Sequence, residues 1–171
     1  MLIDARSRVS AHPTEAVVAA AITAFALPVA AQSTPAANYT DLWYLPAEAG
    51  WGVSFTQHAG TNQVFAVWYT YDPRQPDAAN PGRYKPLWIV MPGGTWISPT
   101  TVQGPAFVTN GQPLGPNTKQ TQVGTFMFSF SGTSNGTFTY NINPPAGLPP
   151  SDPAYGLPAF SGTKAITRQP F

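Results

Sequence analysis

The tightest limit on the fold comes from residues 125–142. Phe126, Phe128 and Phe130 alternate with Thr125, Met127 and Ser129, and then Phe138, Tyr140 and Ile142 alternate with Thr137, Thr139 and Asn141. A period of two sends one set of side chains to a buried face and the other to water, which describes antiparallel strands and excludes helices. No long stretch of the chain keeps a helical period of about 3.6 residues. Instead, aromatic and β-branched runs recur between clusters of Gly, Pro and Asn. These predict strands near 40–45, 51–58, 63–71, 84–91, 120–131, 135–142 and 159–168, with a further short one near 95–108. Ala59-Gly60-Thr61-Asn62 and Ser131-Gly132-Thr133-Ser134-Asn135-Gly136 supply hairpin turns. Seven or eight strands joined in this way must hide their edges. The expected fold is therefore all-β, an antiparallel up-and-down meander closing into a small barrel, with a β-sandwich as the alternative.

The first 31 residues are composed differently. Arg6 and Arg8 precede an apolar run from Ala16 to Ala31, which ends in the small residues Val29-Ala30-Ala31. That is the pattern of a signal peptide, and the run is short of the roughly 20 apolar residues that span a bilayer. The chain divides into a signal peptide over 1–31, a small polar leader over 32–38 expected to be flexible, and one all-β domain over 39–171. The expected location is the periplasm, the cell surface or the medium.

Charge narrows the choice of partners. After residue 31 the basic residues are Arg74, Arg83, Lys85, Lys119, Lys164 and Arg168, and the acidic ones are Asp41, Glu48, Asp72, Asp77 and Asp152. Nucleic acid and anionic membrane need a basic surface that this balance does not provide. With no cysteine in the chain, neither a disulfide nor a thiolate metal site is available. A surface made mostly of neutral polar residues repels copies of itself weakly, so self-association is expected to be possible. Three proline-rich insertions, 72–83, 109–118 and 143–158, interrupt the meander and are natural places for function.

Several blocks carry a resemblance: Tyr39-Thr40-Asp41-Leu42-Trp43, Pro46-Ala47-Glu48-Ala49-Gly50-Trp51-Gly52, Val67-Trp68-Tyr69-Thr70-Tyr71-Asp72, Lys85-Pro86-Leu87-Trp88-Ile89-Val90-Met91 and Lys164-Ala165-Ile166-Thr167-Arg168-Gln169. In these the chain resembles an uncharacterised family of secreted bacterial all-β modules with no established activity. The resemblance implies architecture and export, and hands over no catalytic residue. The insertion at 73–83 and the long loop at 143–158 depart from the family pattern.

Two constellations offer chemistry. Glu48 beside Gly50, Trp51 and Gly52 places a carboxylate next to a large ring, as a ligand contact or as a plug for a barrel end. Trp43, Trp68, Trp88 and Trp96 with Tyr44, Tyr69 and Tyr71 form an aromatic set in which Trp68 and Tyr69, as neighbours in one strand, face opposite ways. Exposed rings stack on sugars or other apolar-faced ligands. The candidate ligand-binding residues are accordingly Trp43, Glu48, Trp51, Trp68, Tyr69 and Trp88.

Catalysis has less material. His58 has no Gly-x-Ser-x-Gly elbow to serve. A hydrolytic carboxylate pair would draw on Glu48 with Asp41 or Asp72. No ligand spacing points to a metal or cofactor, and none is expected. A membrane barrel would need an outward apolar band that Ser54-Thr56-His58 and Thr137-Thr139-Asn141 break. The preferred reading is a secreted or surface binding module for a carbohydrate or other apolar-faced ligand. A small secreted hydrolase and a structural or adhesive domain are the alternatives.

Overall fold

The computed structural model describes residues 32–48, 50–74, 82–110 and 119–171. The expected signal peptide, 1–31, lies outside the described residues, as do 75–81 and 111–118 of two predicted insertions.

Eight strands follow one another: β1 (Asp41–Tyr44), β2 (Gly52–Gln57), β3 (Val64–Tyr71), β4 (Pro86–Ser98), β5 (Thr101–Asn110), β6 (Lys119–Phe130), β7 (Asn135–Ile142) and β8 (Phe160–Arg168). Each pairs antiparallel with the next, and β8 returns to β1, so the sheet closes into a barrel in chain order. The meander and its closure are as the sequence predicts, and the sandwich alternative does not apply. The further short strand expected near 95–108 straddles the turn between two strands, taking in the end of β4 and most of β5, which spans ten residues. β4 also outruns its expected end at Met91: it continues through Pro92, Gly93 and Gly94 to Ser98. Those three residues read as a strand stop. They are tolerated because the register with β5 shifts between Val90 and Thr95, and a bulge is where a strand accepts Pro and Gly.

The inner pleat is filled by side chains. Tyr39, Trp43, Phe55, Trp96 and Phe130 pack toward the end with the short hairpins, where Tyr39 lies flat on Phe130 at 4.0 Å. Phe128 stacks on Phe138 at 4.7 Å and hands the ring contacts on to Trp68, Phe126 and Tyr140. Each such pair adds about 0.5–1.5 kcal/mol beyond the area it buries. With no disulfide, this column of rings is the main source of cohesion.

Two segments outside the strands are fastened to the barrel. The leader expected to be flexible is fastened to the barrel, since the Ser33 N–H donates to the Trp96 carbonyl at 2.9 Å and the Ala36 N–H to the Pro99 carbonyl at 2.7 Å. Small polar residues gave no hint of these main-chain bonds. The loop over 143–158 likewise sends Ala154 and Leu157 into the core. It turns on Asp152, which is nearly buried and accepts hydrogen bonds from the Ala154 N–H at 2.9 Å and the Thr121 hydroxyl at 2.8 Å, with Lys119 Nζ 3.0 Å away. Burial works to raise the Asp152 pKa, but the Ala154, Thr121 and Lys119 contacts outweigh it and hold the carboxyl below its ordinary value.

A carboxyl with a lowered folded-state pKa stabilises the protein above its unfolded pKa and loses that contribution as pH falls through the folded value. Acid unfolding is therefore expected to steepen below the ordinary aspartate range, and Asp152→Asn is expected to flatten that limb in pH-dependent urea melts. Gly124 is a separate weak point, because a Cβ there would lie 1.9 Å from the Asn141 carbonyl oxygen on β7. Gly124→Ala is expected to cost about 1–3 kcal/mol or more in urea unfolding, as overpacking does. Gly132→Ala, with nothing within 4 Å of its Cβ, is the near-neutral control.

Candidate ligand-binding face

The alternation that buries Trp68 turns Tyr69 outward, and the register places Tyr69 opposite Trp88 on β4 and Gly52 on β2. Tyr69 is 42% exposed and Trp88 is 63% exposed. Their rings stand 6.0 Å apart at 80°, so they form a corner instead of a flat platform. Gly52 has no side chain to fill the space beside Tyr69. The result is a shallow cleft of about 440 Å³ lined by Leu42, Tyr44, Trp51, Gly52, Tyr69 and Phe171. The strands β2, β3, β4 and β5 contain no Asp, Glu, Lys, Arg or His, so the charges near the cleft lie on its β1 and β8 side.

One end of this cleft is held by an ion pair that reaches through the wall. β1 stops at Tyr44 while β8 runs from Phe160 to Arg168, and Glu48 meets the part of β8 that β1 leaves unpaired. Lys164 pairs with Phe138, so it stands at an inward position of β8. Its Nζ donates to Glu48 Oε2 at 2.5 Å and sits 5.4 Å from the Trp51 ring centre. Trp51 Nε1 donates to the same oxygen at 3.0 Å. The Lys164 hydrogen bond, followed by that from Trp51, lowers the Glu48 pKa below its ordinary value. Glu48 thus positions Trp51 as one wall of the cleft. Lys164 was not among the sequence candidates, although a lysine in phase with Phe160 and Ile166 was the available signal.

The other candidate carboxylates have their own cations. Asp41 lies 3.6 Å from Arg168 Nε, and Arg168 also covers the Trp43 ring at 5.2 Å. Asp72 forms a forked contact with Arg74, whose Nε donates to both carboxylate oxygens at 2.8 Å. Burial pushes the Asp72 pKa up, but the Arg74 hydrogen bonds push it further down, so the net shift is downward. A glycosidase acid needs the opposite, a carboxyl kept protonated near neutrality. His58 is occupied in a turn: its Nδ1 faces the Gly60 and Thr61 N–H groups at 3.3 and 3.2 Å, which makes that nitrogen an acceptor.

Two sequence candidates require correction. Trp43 is fully buried and Trp68 is 4% exposed, so both are core rings and neither is an exposed stacking face, although Trp43 backs the cleft from inside. The pleat decides this, since Trp43 and Trp68 both pair with Val53 across the sheet and share its inward face. Trp68 Nε1 has no hydrogen-bond partner among the described residues. Tyr69, Trp88, Trp51 and Glu48 are the candidates that the fold brings to one outer region.

Fold and surface together define a closed eight-stranded antiparallel barrel with an aromatic core and an exposed aromatic corner beside a glycine-floored cleft. No family model, curated protein or solved structure matches the chain, so the resemblance to secreted modules rests on its sequence blocks alone. Among the described residues, no three His, Cys, Asp or Glu side chains gather to hold a metal ion, and no helix is long and apolar enough to cross a membrane.

Glu48→Gln is expected to loosen Trp51 while sparing the barrel. Hydrogen exchange should quicken over 45–51 and stay unchanged in β6 and β7. In the parent protein, Trp51 is expected to loosen only as pH falls below the ordinary glutamate range, because its partner carboxylate stays ionised until then.

Proposed function

We propose that this protein is an exported binding module whose aromatic corner and adjoining cleft take a neutral carbohydrate chain. The observation carrying the proposal is the exposed Tyr69–Trp88 pair, in which Tyr69 also lines the cleft beside Gly52. An aromatic face stacks on the apolar face of a sugar ring, and the Tyr hydroxyl and Trp N–H are left to bond its polar edge. The absence of charge on β2 to β5 favours a neutral ligand. Export is supported by the Arg6, Arg8 and Ala16–Ala31 pattern alone.

The 80° angle between the rings refines the ligand. A crystalline polysaccharide surface calls for rings in one plane, whereas a corner holds a single unit of a soluble chain by its face and its edge. A hydrolase built on Glu48 gains no support, because Lys164 and Trp51 keep that carboxylate ionised and occupied. A membrane barrel gains none either. The apolar rings fill the interior, and the outer positions of β6 to β8 include Thr125, Thr139, Asn141, Ser161 and Thr163.

Soluble neutral oligosaccharides are expected to bind the purified protein in calorimetric titrations, while insoluble cellulose and chitin are expected to leave it in the supernatant. Tyr69→Ala and Trp88→Ala should each weaken binding at least tenfold, equivalent to about 1.4 kcal/mol, with the folded circular dichroism spectrum retained. Equal affinity in the parent and both variants would dismiss the aromatic corner as the site.

A further inference from the structure

A second concavity lies on a different part of the barrel wall. It is a trench of about 490 Å³ crossing β4, β5, β6 and β7, where a closed barrel would ordinarily be convex. Two register irregularities flank it, one between Val90 and Thr95 where β4 meets β5, the other between Ala106 and Phe107 where β5 meets β6. Glycines let the strands come close at this point: a Cβ on Gly104 would meet the Gly94 Cα at 2.9 Å. Bulges sharpen local twist and bend a sheet, which is how a convex wall acquires a hollow.

The lining has a particular chemistry. Gly93, Pro105 and Met127 give an apolar floor, and Thr95, Gln103, Thr125, Thr139 and Asn141 surround it. None of these side chains is ionisable. Gln103 stands opposite Met127, which in turn stands opposite Thr139; Pro105, Thr125 and Asn141 form the neighbouring row. Thr139 bonds Thr163 at 2.9 Å. No side-chain bond of Gln103 or Asn141 is present among the described residues, and both amides line the trench.

We infer that this trench is a second carbohydrate site, taking two or more units of a neutral oligosaccharide. A side-chain amide carries both donors and an acceptor and so matches adjacent sugar hydroxyls, while Met127 and Pro105 cover an apolar sugar face. An extended peptide is the less suited occupant. Its main chain adds to the edge of a strand, whereas the trench lies on the outer face of the sheet, lined by side chains. The trench is separate from the aromatic corner and does not depend on it. With both occupied, one molecule links two glycan segments.

The test is a side-chain amide NMR titration of the full chain with maltohexaose, cellohexaose and hexameric N-acetylglucosamine, with a neutral Gly/Ser/Thr peptide alongside. One sugar is expected to shift the Gln103 and Asn141 amide signals in the parent and equally in Trp88→Ala. The double variant Gln103→Ala, Asn141→Ala is expected to weaken that binding at least tenfold while the aromatic corner still responds. Should that variant unfold, Thr125→Trp, which fills the trench from an outward position, is the substitute and is expected to block the same signal. Corner binding with silent Gln103 and Asn141 amides would overturn the trench and spare the corner. Shifts caused by the peptide alone would also overturn it, as would silence at both places.

Discussion

Two residue pairs, Trp43 with Arg168 and Tyr44 with Thr167, join the first strand to the last and turn an open sheet into a barrel. So short a seam needs reinforcement, and the residues around it supply it. Arg168 lies over the Trp43 ring and donates through its guanidinium to the Asn38 carbonyl at 3.0 Å, and the Gln169 N–H reaches the Leu42 carbonyl at 2.8 Å. Beyond the seam, where β1 has ended, the Lys164–Glu48 pair makes a further tie to β8. The rings behind this seam can stay dry only while it is closed. Because the chain has no disulfide, aromatic burial and seam contacts carry what a covalent staple would carry in many small exported domains.

Closure also separates the aromatic residues into two populations with different work. Inward rings such as Trp43, Trp68, Phe126 and Phe138 fill the interior of the eight-stranded barrel. Outward rings contribute little to that core, so Tyr69 and Trp88 remain as exposed apolar surface on an uncharged part of the wall. Exposed aromatic clusters of this kind mark binding surfaces more often than isolated exposed apolar residues do. The proposed recognition surface is thus a by-product of the same alternation that builds the core.

Much of this was legible in the sequence. The period of two in Phe126–Phe130 and Phe138–Ile142 located β6 and β7 closely, and the turn residues between them specified the hairpin. The adjacency of Trp68 and Tyr69 required one to be outside. Which one was not legible, because the parity of a strand is set by partners distant in sequence, here Val53 and Ile89. The same reason hid the fate of Trp43. Pro92-Gly93-Gly94 looked like an ending because its local chemistry is that of a turn, and only the bulge opposite β5 makes room for it within a strand. The leader looked loose because main-chain hydrogen bonds leave almost no trace in composition, and nothing local marks Asp152 as the residue that anchors the 143–158 loop. Lys164 could have been found from its phase with Ile166; that it pairs with Glu48, far away in sequence, could not.

The most direct measurement is a two-dimensional spectrum of the five tryptophan indole N–H groups, recorded without and with a soluble neutral oligosaccharide that the protein binds. Trp88 is expected to exchange fastest with solvent and to shift on binding, with Trp51 shifting less. Trp43, Trp68 and Trp96 are expected to stay protected and unmoved. A ligand-induced shift confined to Trp68 or Trp43 would contradict the division into inner core and outer recognition surface, and would place the ligand inside the barrel.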